Sequence, residues 1–169
     1  MCYDEVGVIS IDSGAKGVER MISLPSKDFL ETQIEDFIIS SEKVAHVQLG
    51  NSAEHALLVL TKTGYSAIPV LDMKYRFQGL INTQRITESI LGMEHIEYEK
   101  LPEIKVQDIM QTDMPLISIN ERFQKALDLL IDQNFLCVIN DDGMFMGILT
   151  RRVVLKQLKK QIYQIKNSQ

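Results

Sequence analysis

Along this chain, short stretches in which apolar and polar residues alternate give way to apolar residues at helical spacing and then to alternation again. The whole succession occurs twice. Sliding the sequence on itself by 70 positions lays His46 to Ile68 over Leu116 to Val138. Val47 and Leu49 then fall on Ile117 and Ile119, Ala53 on Phe123, Ala56 and Leu57 on Ala126 and Leu127, and Leu60 on Leu130. Self-similarity at a fixed period marks a structural unit used more than once.

Within each copy, an alternating segment (Val47-Gln48-Leu49, Ile117-Ser118-Ile119) predicts a strand. A helix follows, its apolar residues at i, i+3, i+4 and i+7 forming one buried face. Asn51, with Glu54 three residues on, is the expected cap of the first helix, and Asn120 of the second. Gly64 and Asn134, both tolerant of left-handed φ, are expected to end these helices. Next come an aromatic and a second strand: Tyr65 with Ser66-Ala67-Ile68, then Phe135 with Leu136-Cys137-Val138. Beyond this point the copies align at an offset of 68, which places a two-residue difference in the turns 72–77 and 140–146, the second bearing the hairpin signal Asp142-Gly143. Third strands, Gly79-Leu80-Ile81 and Gly147-Ile148-Leu149, lead into closing helices over 83–91 and 151–165, the latter with Val154, Leu158, Ile162 and Ile165 on one stripe.

Helical lead-ins are expected at 26–39 and 106–110. The reading is therefore a mixed α/β (α+β) chain of two β-α-β-β-α units: residues 21–92, a charged connector at 93–105, and residues 106–169. A unit of about 55 residues buries too little by itself, so the two should pack as a pseudo-twofold pair. Pro69 interrupts the second strand of the first copy, where the second copy has Ile139 at the 70-residue offset. Proline cannot donate to a ladder, so this strand is expected at an edge or at a gap in pairing, with backbone from Ser66 to Ile68 open to a ligand.

Composition narrows the function. A net charge of −5 argues against a general nucleic-acid or acidic-membrane binder, so any phosphate site must be local. No apolar run approaches the roughly 20 residues that span a bilayer. Two cysteines, Cys2 and Cys137, give no disulfide framework, and a reducing cytoplasm fits best. The first twenty residues have no signal-peptide pattern. Lys16 to Met21 is encodable by a purine-rich stretch carrying a bacterial ribosome-binding sequence, so Met21 is the expected start and residues 1–20 a translated leader.

The succession of strand, capped helix, Gly64-Tyr65, Ala67-Ile68-Pro69-Val70-Leu71-Asp72, turn and Gly79-Leu80-Ile81, repeated and closed by Gly147-Ile148-Leu149-Thr150-Arg151-Arg152, resembles a pair of CBS domains, a Bateman module. The likeness covers roughly residues 34–160. Lys43 to Gln48, Glu54 to Tyr65 and Thr150 to Lys156 look like the small stand-alone CBS-pair proteins of Gram-positive bacteria that bind cyclic di-AMP. That resemblance implies a non-catalytic sensor that is a homodimer and binds the dinucleotide between its CBS halves. It also implies two protein partners: the enzyme that makes and degrades (p)ppGpp and, in some members, a biotin-dependent carboxylase. No cofactor is expected.

A cyclic purine dinucleotide needs donors for two phosphates and slots for adenine. Arg151 and Arg152 supply planar, permanently charged forks, and they open the last helix, which Thr150 can cap. The plainer reading of both is a solvated basic surface with Lys156, Lys159, Lys160 and Lys166. Tyr65 can stack on a base or pack in the core; Phe135, its counterpart at the 70-residue offset, has the same two readings. Ser66 offers a hydroxyl, and Lys43, Val44, Ala45 and His46, with Ala67, Ile68 and Pro69, complete the candidate adenine wall, Val44 and Ala45 by resemblance. His46, His55 and His95 have no ligand-spaced partner for a metal, and no nucleophile elbow, P-loop or G-x-G-x-x-G occurs, so no enzyme is read.

CBS modules that bind AMP or ATP commonly carry an Asp three residues after the Thr of the Gly-h-h-Thr segment, where it holds the ribose. Here Val153 stands in that place, and in the first copy Asn82 replaces the Thr and Arg85 the Asp. An AMP or ATP sensor and a ligand-free dimerisation module are the alternatives.

Overall fold

A computed structural model describes residues 33–167; the expected leader and the lead-in residues 26–32 lie outside the described residues. In chain order the elements are β1 (Ile39–Ser40), β2 (Val47–Gln48), α1 (Ala53–Thr63), β3 (Ala67–Leu71), β4 (Phe77–Asn82), α2 (Thr83–Ser89), α3 (Val106–Ile109), β5 (Leu116–Ser118), α4 (Phe123–Leu130), β6 (Phe135–Ile139), β7 (Phe145–Thr150) and α5 (Arg151–Asn167). Each copy thus follows the β-α-β-β-α order expected. The first forms a sheet β2-β3-β4; the second contributes β7-β6-β5 to a sheet whose other edge is β1.

The position of β1 departs from the sequence reading. Rather than a helix through residue 39, Ile34–Phe37 make one 3-10 turn, and β1 runs antiparallel to β7, pairing Ile39 with Ile148 and Ser40 with Gly147. Ile34 and Phe37 are buried in the core of the second repeat, where the Phe37 ring lies 4.9 Å from that of Phe123. Their spacing fits a helix face locally, but pairing with a distant strand satisfies the backbone and buries the same residues. The exchange is reciprocal. Gln111, just beyond α3, pairs with Leu80 of β4 through two backbone hydrogen bonds of 2.9 and 2.8 Å. Each repeat is completed by the lead-in of the other.

Two glycines permit this crossing. A Cβ at Gly147, whose φ is +150°, would stand 2.1 Å from the Ile39 carbonyl oxygen, and one at Gly79 would stand 2.5 Å from that of Gln111. The two sheets meet over a shared cluster of Val44, Leu71, Cys137 and Phe145, flanked by Phe77, Leu80, Phe135 and Ile148. At their tips the hairpins exchange bonds, Phe77 N donating to Gly143 O (3.1 Å) and Phe145 N to Tyr75 O (2.9 Å).

Strand register relocates the two-residue difference between the copies. Ala67 pairs with Asn82 and Phe135 with Thr150, while Val70 pairs with Gly79 and Val138 with Gly147. The offset is therefore already 68 at the start of the second strand. The hairpin turns match, and the missing residues come from the helix: α4 has 8 residues where α1 has 11, while the connection that follows, 131–134, is one residue longer than 64–66. Phe135 is thus the counterpart of Ala67, not Tyr65, and Cys137 that of Pro69, not Ile139.

Gly64 ends α1 in the left-handed conformation as expected (φ 69°), but α4 stops at Leu130, before Asn134. The N-caps also move. Ser52 caps α1 by accepting from His55 N, whereas Asn51 accepts from Gln48 N in the preceding turn. Arg122, not Asn120, occupies the cap position of α4, with no side-chain bond. Asn51 and Ser52 are both good caps, so composition alone does not choose between them.

The charged connector is anchored to the first repeat: Leu101 is buried, and the Leu101 and Ile104 carbonyls accept from Glu54 N and Ala53 N at the start of α1. Pro69 lies in the middle strand of its sheet, beside a gap in pairing. Its partner Leu80 turns both backbone groups to Gln111, so Pro69 faces away from β4, and pairing with β2 begins only at Val70.

Replacing Gly147 with Ala should cost more than about 3 kcal/mol, because the Ile39 backbone must move and the positive φ is unfavourable for alanine. Gly143→Ala, where φ is also positive but nothing lies within 4 Å, should cost about 1 kcal/mol. Urea unfolding of the two variants checks the order; equal losses would mean that the crossing is not tight.

Candidate functional site

Where the two repeats meet, β3 and β6 each begin after a helix and so leave their first residues at the mouth of the interface. A cleft of about 270 Å³ opens there. Ser66, Ala67, Leu80 and Asn82 line it from the first repeat, and Gln111, Asp113, Met114, Pro115, Gln133, Asn134, Phe135 and Cys137 from the second. Its walls are divided between polar groups (amides, a hydroxyl and one carboxylate) and apolar side chains, a more polar lining than most small-molecule sites have. The volume lies just under the usual range for small-molecule sites.

Three predicted site residues, Ser66, Ala67 and Phe135, line this cleft. A second group gathers along β7. The 3-10 turn Ser41–Lys43 packs on β7, and Val44 is buried in the shared cluster between the sheets. Lys43 is exposed, Ala45 half-buried and His46 half-buried, with its Nδ1 3.1 Å from Val44 O and its ring edge-on to Tyr75 at 5.5 Å. Thr150, at the end of β7, pairs with Phe135 and accepts from Val153 N (3.3 Å), capping α5 as expected. The groups are therefore linked through the Phe135–Thr150 pair. Tyr65 is 46% exposed, which removes it from the core and leaves its ring available. Ile68 and Pro69 are buried, Ile68 in the core of the first repeat, so their side chains do not reach an open surface.

The two arginines have different surroundings. Arg151 donates from Nε to Leu130 O and from Nη2 to Ile131 O, both at 2.7 Å, and its backbone N donates to Asn134 O at 3.1 Å. Arg152 is exposed and makes no hydrogen bond or ion pair among the described residues. Basic residues continue along α5 at Lys156, Lys159 and Lys160, so positive potential concentrates here in a chain of net charge −5.

Models of the CBS domain match residues 34–92 and 106–160. The chain belongs to the CBS domain family. Its curated relative in Bacillus subtilis (strain 168), the cyclic di-AMP receptor B, is 56% identical over 142 residues, 84% of this chain and 97% of the relative. Among solved structures, CbpB of Listeria monocytogenes in complex with c-di-AMP is 53% identical with a TM-score of 0.72, covering 78% of this chain and 98% of that one. A CBS domain-containing protein of Bacillus anthracis is 54% identical with a TM-score of 0.74, covering 80% and 99%. No helix among the described residues is long and apolar enough to cross a membrane.

In this CBS pair, the candidate site residues did not include the cleft residues Leu80, Asn82, Cys137, Gln133 and Asn134, nor Gln111 and Asp113 to Pro115 of the second lead-in. The repeat itself carries the missing signal. Asn82 occupies the place of Thr150 and likewise caps its helix, accepting from Arg85 N at 2.8 Å. Gln111 to Pro115 is the lead-in of the second copy, as the Lys43 region is of the first.

Cys137 lies behind the cleft with its thiol in the shared cluster, and burial pushes its pKa up to about 12. A value raised on folding contributes stability that is complete below the ordinary thiol range and is lost as pH climbs toward 12. Cys137 should therefore resist iodoacetamide at pH 8 in the folded protein and react in denaturant. Mass mapping of the alkylated peptide checks this, and equal native and denatured rates would show the thiol to be open.

Proposed function

We propose that this protein is a non-catalytic receptor for cyclic di-AMP, taken up between its CBS repeats. The observation that carries the reading is the 56% identity to a cyclic di-AMP receptor over 97% of that protein's length. The local chemistry agrees. Arg151 and Arg152 offer forks to the phosphates at the capped start of α5, Lys43 and exposed Tyr65 offer a charge and a ring, and Ser66, Ala67 and Phe135 supply cleft wall. Val44, Ala45, His46 and the buried Ile68 and Pro69 hold the backbone that frames it.

Ribose recognition by a carboxylate is absent from both Gly-h-h-Thr positions, where Val153 and Arg85 stand. A cyclic dinucleotide, with its 3′ hydroxyl esterified, needs that contact less than AMP or ATP. We further propose a cytoplasmic homodimer in which occupancy alters binding to a protein partner such as the (p)ppGpp synthetase/hydrolase or a biotin-dependent carboxylase. A ligand shifts such an equilibrium only by its difference in affinity for the two states.

Titration calorimetry against cyclic di-AMP, cyclic di-GMP, AMP and ATP should give binding strongest for cyclic di-AMP. Arg152→Ala should weaken it by roughly tenfold to a hundredfold, the worth of a charge-assisted hydrogen bond, while leaving thermal stability unchanged. No heat with cyclic di-AMP overturns the function, and an unaltered affinity in the variant overturns the site.

A further inference from the structure

The two repeats end their first helices by different means. In α1 the left-handed Gly64 donates its backbone N–H to Leu60 O. Helix α4 has no such residue: Ile131, at its C-cap, remains right-handed (φ −58°, ψ −43°). Its last turn is held instead by Ile131 N to Asp128 O (3.4 Å) and Gln133 N to Leu129 O (3.2 Å). The carbonyls of Leu130 and Ile131, which a helix end leaves without intrahelical donors, are taken by the guanidinium of Arg151. A cation there also meets the negative end of the helix dipole. Strand register makes Thr83 the counterpart of Arg151, too short to do the same in the first repeat.

A guanidinium carries five N–H donors in a fixed plane. The two carbonyls use the edge formed by Nε and Nη2, leaving both Nη1 hydrogens and one on Nη2. The free Nη1–Nη2 edge is itself a bidentate face for an anion. We propose that Arg151 is a clamp: the C-terminal end of α4 orients its fork for a phosphate, and an anion on the free edge in turn tightens the 131–134 connection. Ligand occupancy is thereby transmitted to a turn that exposes Ile131 (72%) and carries Gln133 and Asn134 in the cleft wall. This inference rests on the cyclic di-AMP reading of the site.

Hydrogen exchange of the full chain, with and without saturating cyclic di-AMP, tests it. In the unsubstituted protein the ligand slows exchange of the Ile131 and Gln133 amides roughly fivefold, the effect of one hydrogen bond of ordinary net strength. Arg151→Lys keeps the charge but loses the fork. It speeds exchange at these amides without ligand, and ligand restores nothing there even at saturation. A merely structural arginine would produce the first effect while leaving exchange in the unsubstituted protein independent of ligand. Calorimetric binding with no change at these amides overturns the clamp alone, as does slowing that survives in Arg151→Lys. No binding to the unsubstituted protein overturns both the clamp and the receptor reading.

Discussion

Ile39 and Ser40 lie so close to Gly147 that no other residue fits there, and Gln111 approaches Gly79 in the same way. These two crossings turn a pair of small units into one body. Neither repeat closes its own sheet: β4 and β7, the third strand of each unit, are flanked by chain that leads into the other. A stretch that begins the first repeat in sequence therefore belongs to the core of the second, where Ile34 and Phe37 pack on Phe123. Glycine as the third residue of β4 and of β7 is the condition for this, since any side chain there would meet a backbone carbonyl rather than a movable group. The same crossings bring Gln111 and the residues after it to the mouth of the interface, so the cleft exists only because the lead-ins are exchanged.

What could be read from sequence divides along the line between local and distant causes. Apolar periodicity is local, and it located the strands of both repeats and their helices to within a few residues. Gly64 was legible as a helix end because left-handed φ has its own residue preference. Phe37 was misread because its helical spacing is equally consistent with a 3-10 turn docked on a remote core. The two-residue difference was misplaced because apolar residues on either side of Asn134 satisfy both offsets; only the pairing of Phe135 with Thr150 separates them. Asn51 and Ser52 were indistinguishable as caps for a similar reason, the choice being made by the turn before the helix.

The site shows the same division. Arg151 and Arg152 were legible as charged planar forks at the start of α5 because the residue type announces it, and Thr150 as a cap because its partner is three residues away. The partners of Arg151 were not, because they are main-chain carbonyls some twenty residues back, which no residue type advertises. Asn82, Gln111 and Asn134 were within reach of an argument by symmetry, since their counterparts in the other copy, Thr150, the Lys43 region and Ser66, were already candidates. A wall argued from one copy needed to be carried across to the other.

The shorter helix of the second repeat, α4, ends without a left-handed residue like the Gly64 that closes α1, and its orphan carbonyls need another donor. Only the junction of β7 and α5 is near enough, because Asn134 already accepts from Arg151 N across the same gap. A side chain there must be long, carry two coplanar donors and remain charged, requirements that arginine meets and lysine does not. The second repeat thus places a fixed cation at the start of α5 for reasons of helix termination, beside an unencumbered cation at Arg152. The first repeat, with its glycine cap, has Thr83 and Gln84 at the matching positions and places its cation, Arg85, one residue further on. An asymmetry that begins as a difference in helix length becomes an asymmetry in how two otherwise matching halves place and hold their cations.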